Sequence, residues 1–118
     1  MTSPAPSPDA ASQALLRVLA LVPAGRVVSY GQLADLAGLP GRARLAGRVL
    51  RLADIRDLPW HRVVAANGGI SLPEGSDEAL EQRQRLRAEG ITFKGKRVDM
   101  KQHQWRPDLA ALLMLMEG

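Results

Sequence analysis

The chain has 118 residues, enough for one domain or one domain plus a tail, and 46% of them are apolar, enough for a core. It has no cysteine, which removes disulfides, thiolate nucleophiles, iron–sulfur clusters and cysteine-ligated zinc; its two histidines lie far apart in sequence, which speaks against a histidine metal site and leaves only carboxylates for a hard cation. The net charge is +4 and the pI about 10.3, with fifteen of the sixteen basic residues from Arg26 onward, a moderate hint of a polyanionic partner.

The start, MTSPAPSPDAAS, has no basic leader region and does not read as a signal peptide; its Pro/Ser/Ala composition predicts a disordered lead over residues 1–10. No apolar run approaches the roughly 20 residues of a membrane span. The expectation is a soluble cytoplasmic protein, nucleoid-associated if its source is prokaryotic, that needs no membrane and no cofactor. Leu15, Leu16, Val18 and Leu19 recur at helical spacing and predict a helix over Asp9–Leu21, capped by Ser12 or Asp9 and ended by Pro23 and Gly25. Arg26–Val28 reads as a short extended piece. Ser29 followed three residues later by Gln32 is a capping-box pattern that opens a second helix, with Leu33, Leu36 and Ala37 on its apolar face and Gly38 at its end.

After the Leu39-Pro40-Gly41 turn, a third helix is predicted over Gly41–Ala53. Leu45, Val49 and Leu52 mark its inner face, with Ala46 and Ala53 beside them, and Arg44, Arg48 and Arg51 form a basic stripe on another. Two short helices joined by a glycine turn, the second one basic, outline a helix-turn-helix. A plain solvated arginine face is the competing reading. The small residues Ala43, Ala46 and Gly47 either admit a partner backbone or let the helix pack tightly on its neighbour. Farther on, Arg62–Val64 reads as extended and Ala66-Asn67-Gly68-Gly69 as a tight turn. Asp77–Glu89 is a charged helix with Leu80 and Leu86 facing in, ended by Gly90; Ile91–Val98 is a strand or a hairpin. The apolar end, DLAALLMLMEG, is a small helix that packs on the body or meets a partner.

One stretch looks like a site. Leu58-Pro59-Trp60-His61-Arg62-Val63-Val64 places one of four aromatic residues between a proline and a His-Arg pair. His61 and an acid such as Glu89 form a conceivable dyad, but beside His61 stands an indole, which only donates a hydrogen bond and attacks no electrophile. Binding suits Trp60 better, since an aromatic face stacks on a flat ring.

These residues resemble the active-site motif of the O6-alkylguanine-DNA alkyltransferases, Pro-Cys-His-Arg-Val, with Trp60 in place of the acceptor cysteine. VVSYGQLADLAG and RARLAGRVLR match that family's helix-turn-helix, and Ala88-Glu89-Gly90 matches the place of a glutamate bonded to the motif histidine. QWRP resembles the tryptophan-substituted branch, the alkyltransferase-like proteins. The likeness runs from about residue 12 to residue 106.

The resemblance implies a mainly α, winged-helix-like DNA-binding domain of the alkyltransferase C-terminal type, with a helix-turn-helix and short strands, over residues 11–107, followed by an apolar tail over 108–118. It implies a monomer that binds duplex DNA containing O6-alkylguanine through the minor groove. Arg44 would fill the gap left by a flipped nucleotide, Tyr30 would crowd the 3′ phosphate, and Ala43, Gly47 and Arg48 would lie along the DNA. The lesion pocket would comprise Trp60, His61, Tyr30, Glu89 and Val63, and Arg62 would be structural. Without a cysteine the chain would bind lesions without accepting the alkyl group, and nucleotide excision repair proteins would take over. Leu72 and Pro73 stand where some members carry a basic residue, which leaves discrimination against normal guanine either weaker or resting on the pocket's apolar wall.

Overall fold

A computed structural model describes residues 7–117. The first helix, α1, spans Ser7–Leu21; it starts before the expected Asp9, so the expected cap positions 9 and 12 lie inside it. Residues 1–6 of the expected lead fall outside the described residues. Leu15, Val18 and Leu19 of α1 are buried, followed by Val22.

Strand β1, Val28–Ser29, pairs in parallel with β2, Val63–Val64, in the register Val28↔Val63 and Ser29↔Val64. Side chains alternate across a strand, and this short ladder divides the core in two. Val28 and Val63 point into a cluster with α1, Leu33, Ala34, Ala46 and Val49; Val27 and Val64 join Leu86, Ile91 and Val98 on the other side. Arg62, expected to be extended, instead ends a 3₁₀ turn over Trp60–Arg62 that leads into β2.

Helix α2, Tyr30–Leu36, begins where the sequence places it, with Ser29 Oγ accepting the Gln32 N–H at 3.0 Å. The capping box is one-sided, however. The Gln32 side chain turns away, donating to the Trp105 carbonyl at 2.6 Å and accepting from Gln104 at 2.9 Å. Helix α3, Ala43–Leu52, packs against α2 through Ala46 and Val49, with Leu45, Leu50 and Ala53 around them. Leu52, expected on that inner face, is 77% exposed. The inward stripe runs through the buried Ala46 and Val49 and the partly buried Leu50 and Ala53 at helical spacing, and Leu52 falls beyond its edge.

Helix α4, Asp77–Ala88, is capped by Ser76 and carries Asp77 and Glu78 in its first turn and Arg85 and Arg87 in its last, both favourable to the helix dipole. Its inner stripe is Ala79, Gln82 and Leu86. Leu80, expected to face in, is 51% exposed, because the helix is turned to bring Gln82 inward onto the motif loop.

Ile91–Val98 resolves as a hairpin, β3 (Phe93–Lys94) antiparallel to β4 (Arg97–Val98). It docks on the glycine turn, where the Val98 N–H donates to the Gly68 carbonyl at 2.9 Å. Gly68 has φ +89°, and a Cβ there would stand 2.3 Å from the Val98 carbonyl oxygen, so the approach requires glycine.

Helix α5, Met100–His103, then returns the chain to β1: Val27 N–H donates to the His103 carbonyl and Trp105 N–H to the Val27 carbonyl, at 2.9 and 2.8 Å. The tail forms α6, Leu109–Glu117, which folds back; Leu112 is buried and Met116 packs on the α1 side of the core. Leu109, Leu113, Met114 and Leu115 stay exposed.

Candidate nucleic-acid interface

The site is built where three elements meet. The α2–α3 pair contributes Tyr30, Ala43, Arg44, Gly47 and Arg48; the motif loop contributes Trp60 and Val63; α4 contributes Gln82 and Arg85. All of them line one open cavity of about 1360 Å³. Leu72 and Pro73 add an apolar margin.

On α3, Arg44 lies in the first turn and, like Arg48 and Arg51, is exposed. Arg42 caps the helix by backbone only, with no side-chain hydrogen bond to the first-turn N–H groups. The two uses open to the small residues divide cleanly. Ala46 is fully buried and packs inward, while Ala43 and Gly47 line the cavity.

Trp60 is held by the 3₁₀ turn. Its backbone N–H donates to the Leu58 carbonyl at 2.8 Å, and the Val63 N–H donates back to the Trp60 carbonyl. The indole stands edge-on to the His61 ring, centroids 6.2 Å apart. The Arg85 guanidinium lies 5.5 Å from the indole centroid and pairs with Glu81 one turn away on α4, at 2.7 Å.

Two of the residues expected in the pocket, His61 and Glu89, sit behind it. His61 is buried, and its Nε2 meets Glu89 Oε2 at 2.7 Å. Arg62 donates to both Glu89 oxygens, through Nε at 3.0 Å and Nη2 at 2.6 Å, and through Nη1 to the Val22 carbonyl at 2.8 Å. The Gly25 N–H adds a bond to Glu89 at 3.1 Å. Burial pushes the Glu89 carboxyl upward, but Arg62, His61 and the Gly25 N–H outweigh it and hold its pKa at about 2. His61 Nδ1 is buried without a protein partner. The structural part expected of Arg62 is thus explicit: it ties the motif loop to the ends of α1 and α4.

Sequence reasoning missed Gln82. It is 3% exposed, and its Nε2 donates to the His61 and Val63 carbonyls at 3.1 and 2.8 Å, fixing the loop on either side of Arg62. Its signal was available: a polar residue at helical spacing from Ala79 and Leu86 needs partners inside. Arg85 gave no such signal, since nothing local in the sequence places it over Trp60. The second histidine, His103, accepts from the Thr92 N–H at 3.0 Å and meets the Thr92 hydroxyl at 2.8 Å, far from any metal-like cluster; among the described residues no group of three or more His, Asp or Glu is placed to hold an ion.

Residues 10–91 match the sequence profile of the 6-O-methylguanine DNA methyltransferase DNA-binding domain. The chain belongs to this family. It is 41% identical over 99 residues to the DNA base-flipping protein of Escherichia coli K12, covering 82% of this chain and 75% of that one. It is 33% identical over 92 residues to alkyltransferase-like protein 1 of Schizosaccharomyces pombe, covering 73% and 85%. Its fold is similar to that of S. pombe Atl1 in complex with damaged DNA containing O6-carboxymethylguanine, with TM-score 0.72 and 27% identity over 84% of this chain and 97% of that one. The mainly helical fold expected from the sequence is therefore the DNA-binding fold of the methyltransferase family.

Proposed function

We propose that this protein recognises O6-alkylguanine in duplex DNA and holds it without transferring the alkyl group. The observation that carries the reading is that Trp60, which by the motif resemblance stands at the acceptor position, walls a cavity shared with Tyr30 and Arg44 in a chain without cysteine. In this reading α3 enters the minor groove. Ala43 and Gly47 admit the DNA backbone, Arg48 meets phosphate, Arg44 fills the gap in the stack, and Tyr30 crowds the 3′ phosphate. Extruding the base costs a few kcal/mol, less for a damaged pair. Stacking on an aromatic wall returns roughly 1–3 kcal/mol per base. Val63 supports the wall, and His61 with Glu89 keeps the loop's shape from behind. Residues 11–107 form the binding unit and 108–118 the tail. With no group able to complete the repair, the bound complex marks the lesion for nucleotide excision repair proteins, a step supported by the family resemblance alone.

A competition titration tests this. Two duplexes, identical except for O6-methylguanine or guanine, are added at fixed salt while tryptophan fluorescence is followed, with Trp60→Phe to separate Trp105. Lesion binding tighter by about 1.4 kcal/mol, a tenfold ratio, with quenching of Trp60 is the expected result. Equal affinity with a silent Trp60 overturns the reading. Arg44→Ala and Tyr30→Ala should each weaken binding strongly with the fold intact, and affinity should fall with salt as phosphate contacts release counterions.

A further inference from the structure

Trp60 does not stand alone on the cavity wall. Arg85 places its guanidinium over the indole, 5.5 Å from the centroid, and both side chains line the same cavity. Its partner Glu81 is held at 2.7 Å, but the two side chains are 44% and 48% exposed, so the ion pair is weak and open to exchange.

Position 60 fixes which end of a lesion meets this pair. A residue that accepts an alkyl group must come within bonding distance of the O6 substituent. The tryptophan at that position therefore faces the same substituent, provided that the proposed lesion binding holds. The substituent thus points toward the cation over the indole. We propose that Arg85 makes the pocket selective for O6 adducts that end in a carboxylate over adducts that are neutral.

The chemistry differs sharply between the two classes. A methyl group carries no charge and no hydrogen-bond acceptor for the guanidinium. A carboxylate gains a charge-assisted hydrogen bond from a planar guanidinium, which can present two N–H groups at once. The cation–π contact with the indole keeps the guanidinium at the wall, so less freedom is lost when the carboxylate arrives. Glu78 and Glu81 line the cavity too and oppose an incoming anion, while Arg51 and Arg56 favour it. Arg56 is already paired with Asp54. The decisive step is an exchange at Arg85, in which the lesion's carboxylate replaces that of Glu81.

The test uses three duplexes that differ only in guanine, O6-methylguanine or O6-carboxymethylguanine, with the full chain and fixed salt. The wild type should bind the carboxymethyl duplex at least about fivefold more tightly than the methyl duplex, the scale of one charge-assisted bond partly exposed to water. In Arg85→Gln that ratio should fall to near one while both lesions still bind better than guanine. In Glu81→Gln it should rise, because the competing carboxylate is gone. A wild-type ratio near one, or a ratio unchanged in Arg85→Gln, overturns the proposal and leaves lesion binding intact. Equal binding of all three duplexes overturns both.

Discussion

Replacing Glu89 with glutamine probes the hub behind the cavity. Three groups converge on this carboxylate: Arg62, His61 and the Gly25 N–H. Burial acts against the charge, yet the pKa lies at about 2 against the ordinary 4.5. Each pKa unit is worth about 1.36 kcal/mol, so the charged form contributes roughly 3 kcal/mol at neutral pH beyond what the neutral form would. Because the folded-state pKa is depressed, that contribution is complete above the unfolded value of 4.5 and is lost as the pH falls toward 2. Glutamine keeps the shape but leaves the Arg62 side chain, 17% exposed, without its counter-charge. Urea unfolding of wild type and Glu89→Gln at several pH values should give a difference of about 3 kcal/mol at pH 7 that narrows to about 1 kcal/mol at pH 3. Subtracting one protein from the other cancels the remaining acids, which titrate alike in both. A difference that stays flat across that range would refute the assignment of the stabilisation to the Glu89 charge.

Other consequences follow from the same packing. Gln82→Ala strips hydrogen bonds from the buried His61 and Val63 carbonyls and should cost roughly 1–3 kcal/mol in chemical unfolding. It should also weaken lesion binding, since the loop that holds Trp60 loses its tie to α4; unaltered stability and binding together would show that the two bonds contribute nothing. Gly68→Ala forces both a disfavoured φ and a clash with the Val98 carbonyl, so a loss of about 2 kcal/mol or more is expected, with hydrogen exchange raised first in the β3–β4 hairpin. Leu112→Ala should lower stability by about 2 kcal/mol, whereas Leu113→Lys should stay within about 0.5 kcal/mol, because Leu112 is 5% and Leu113 62% exposed. Equal effects in a thermal melt would mean that α6 does not dock on the body through Leu112.

The parts of this fold that were legible in the sequence are those carried by local chemistry. Ser29 announces α2 because a hydroxyl there satisfies a free N–H of the first turn. Gly38, Gly68 and Gly90 punctuate because each has a positive φ. The parallel pairing of β1 with β2 was not legible, since two-residue strands carry no periodicity and their partners lie far apart in the chain. Leu52 and Leu80 were misplaced for a related reason. Helical spacing says which residues share a face, but the side on which the core lies is decided by tertiary partners, and on α4 Gln82 decides it through the carbonyls of the motif loop.

The same distinction separates the two halves of the candidate site. The Glu89 hub is reached through the motif, because His61 and Arg62 are adjacent in sequence and their acceptor follows a helix that ends in glycine. The Trp60–Arg85 cation–π contact joins residues on two different elements, neither of which names the other. In the proposed reading an indole at the acceptor position only holds the adduct, and what the wall selects depends on the side chain that tertiary packing lays across it. Here that side chain is a cation held by a half-exposed, exchangeable carboxylate. The proposed selectivity therefore turns on the charge of the adduct, and the Arg85 and Glu81 variants should shift it in opposite directions.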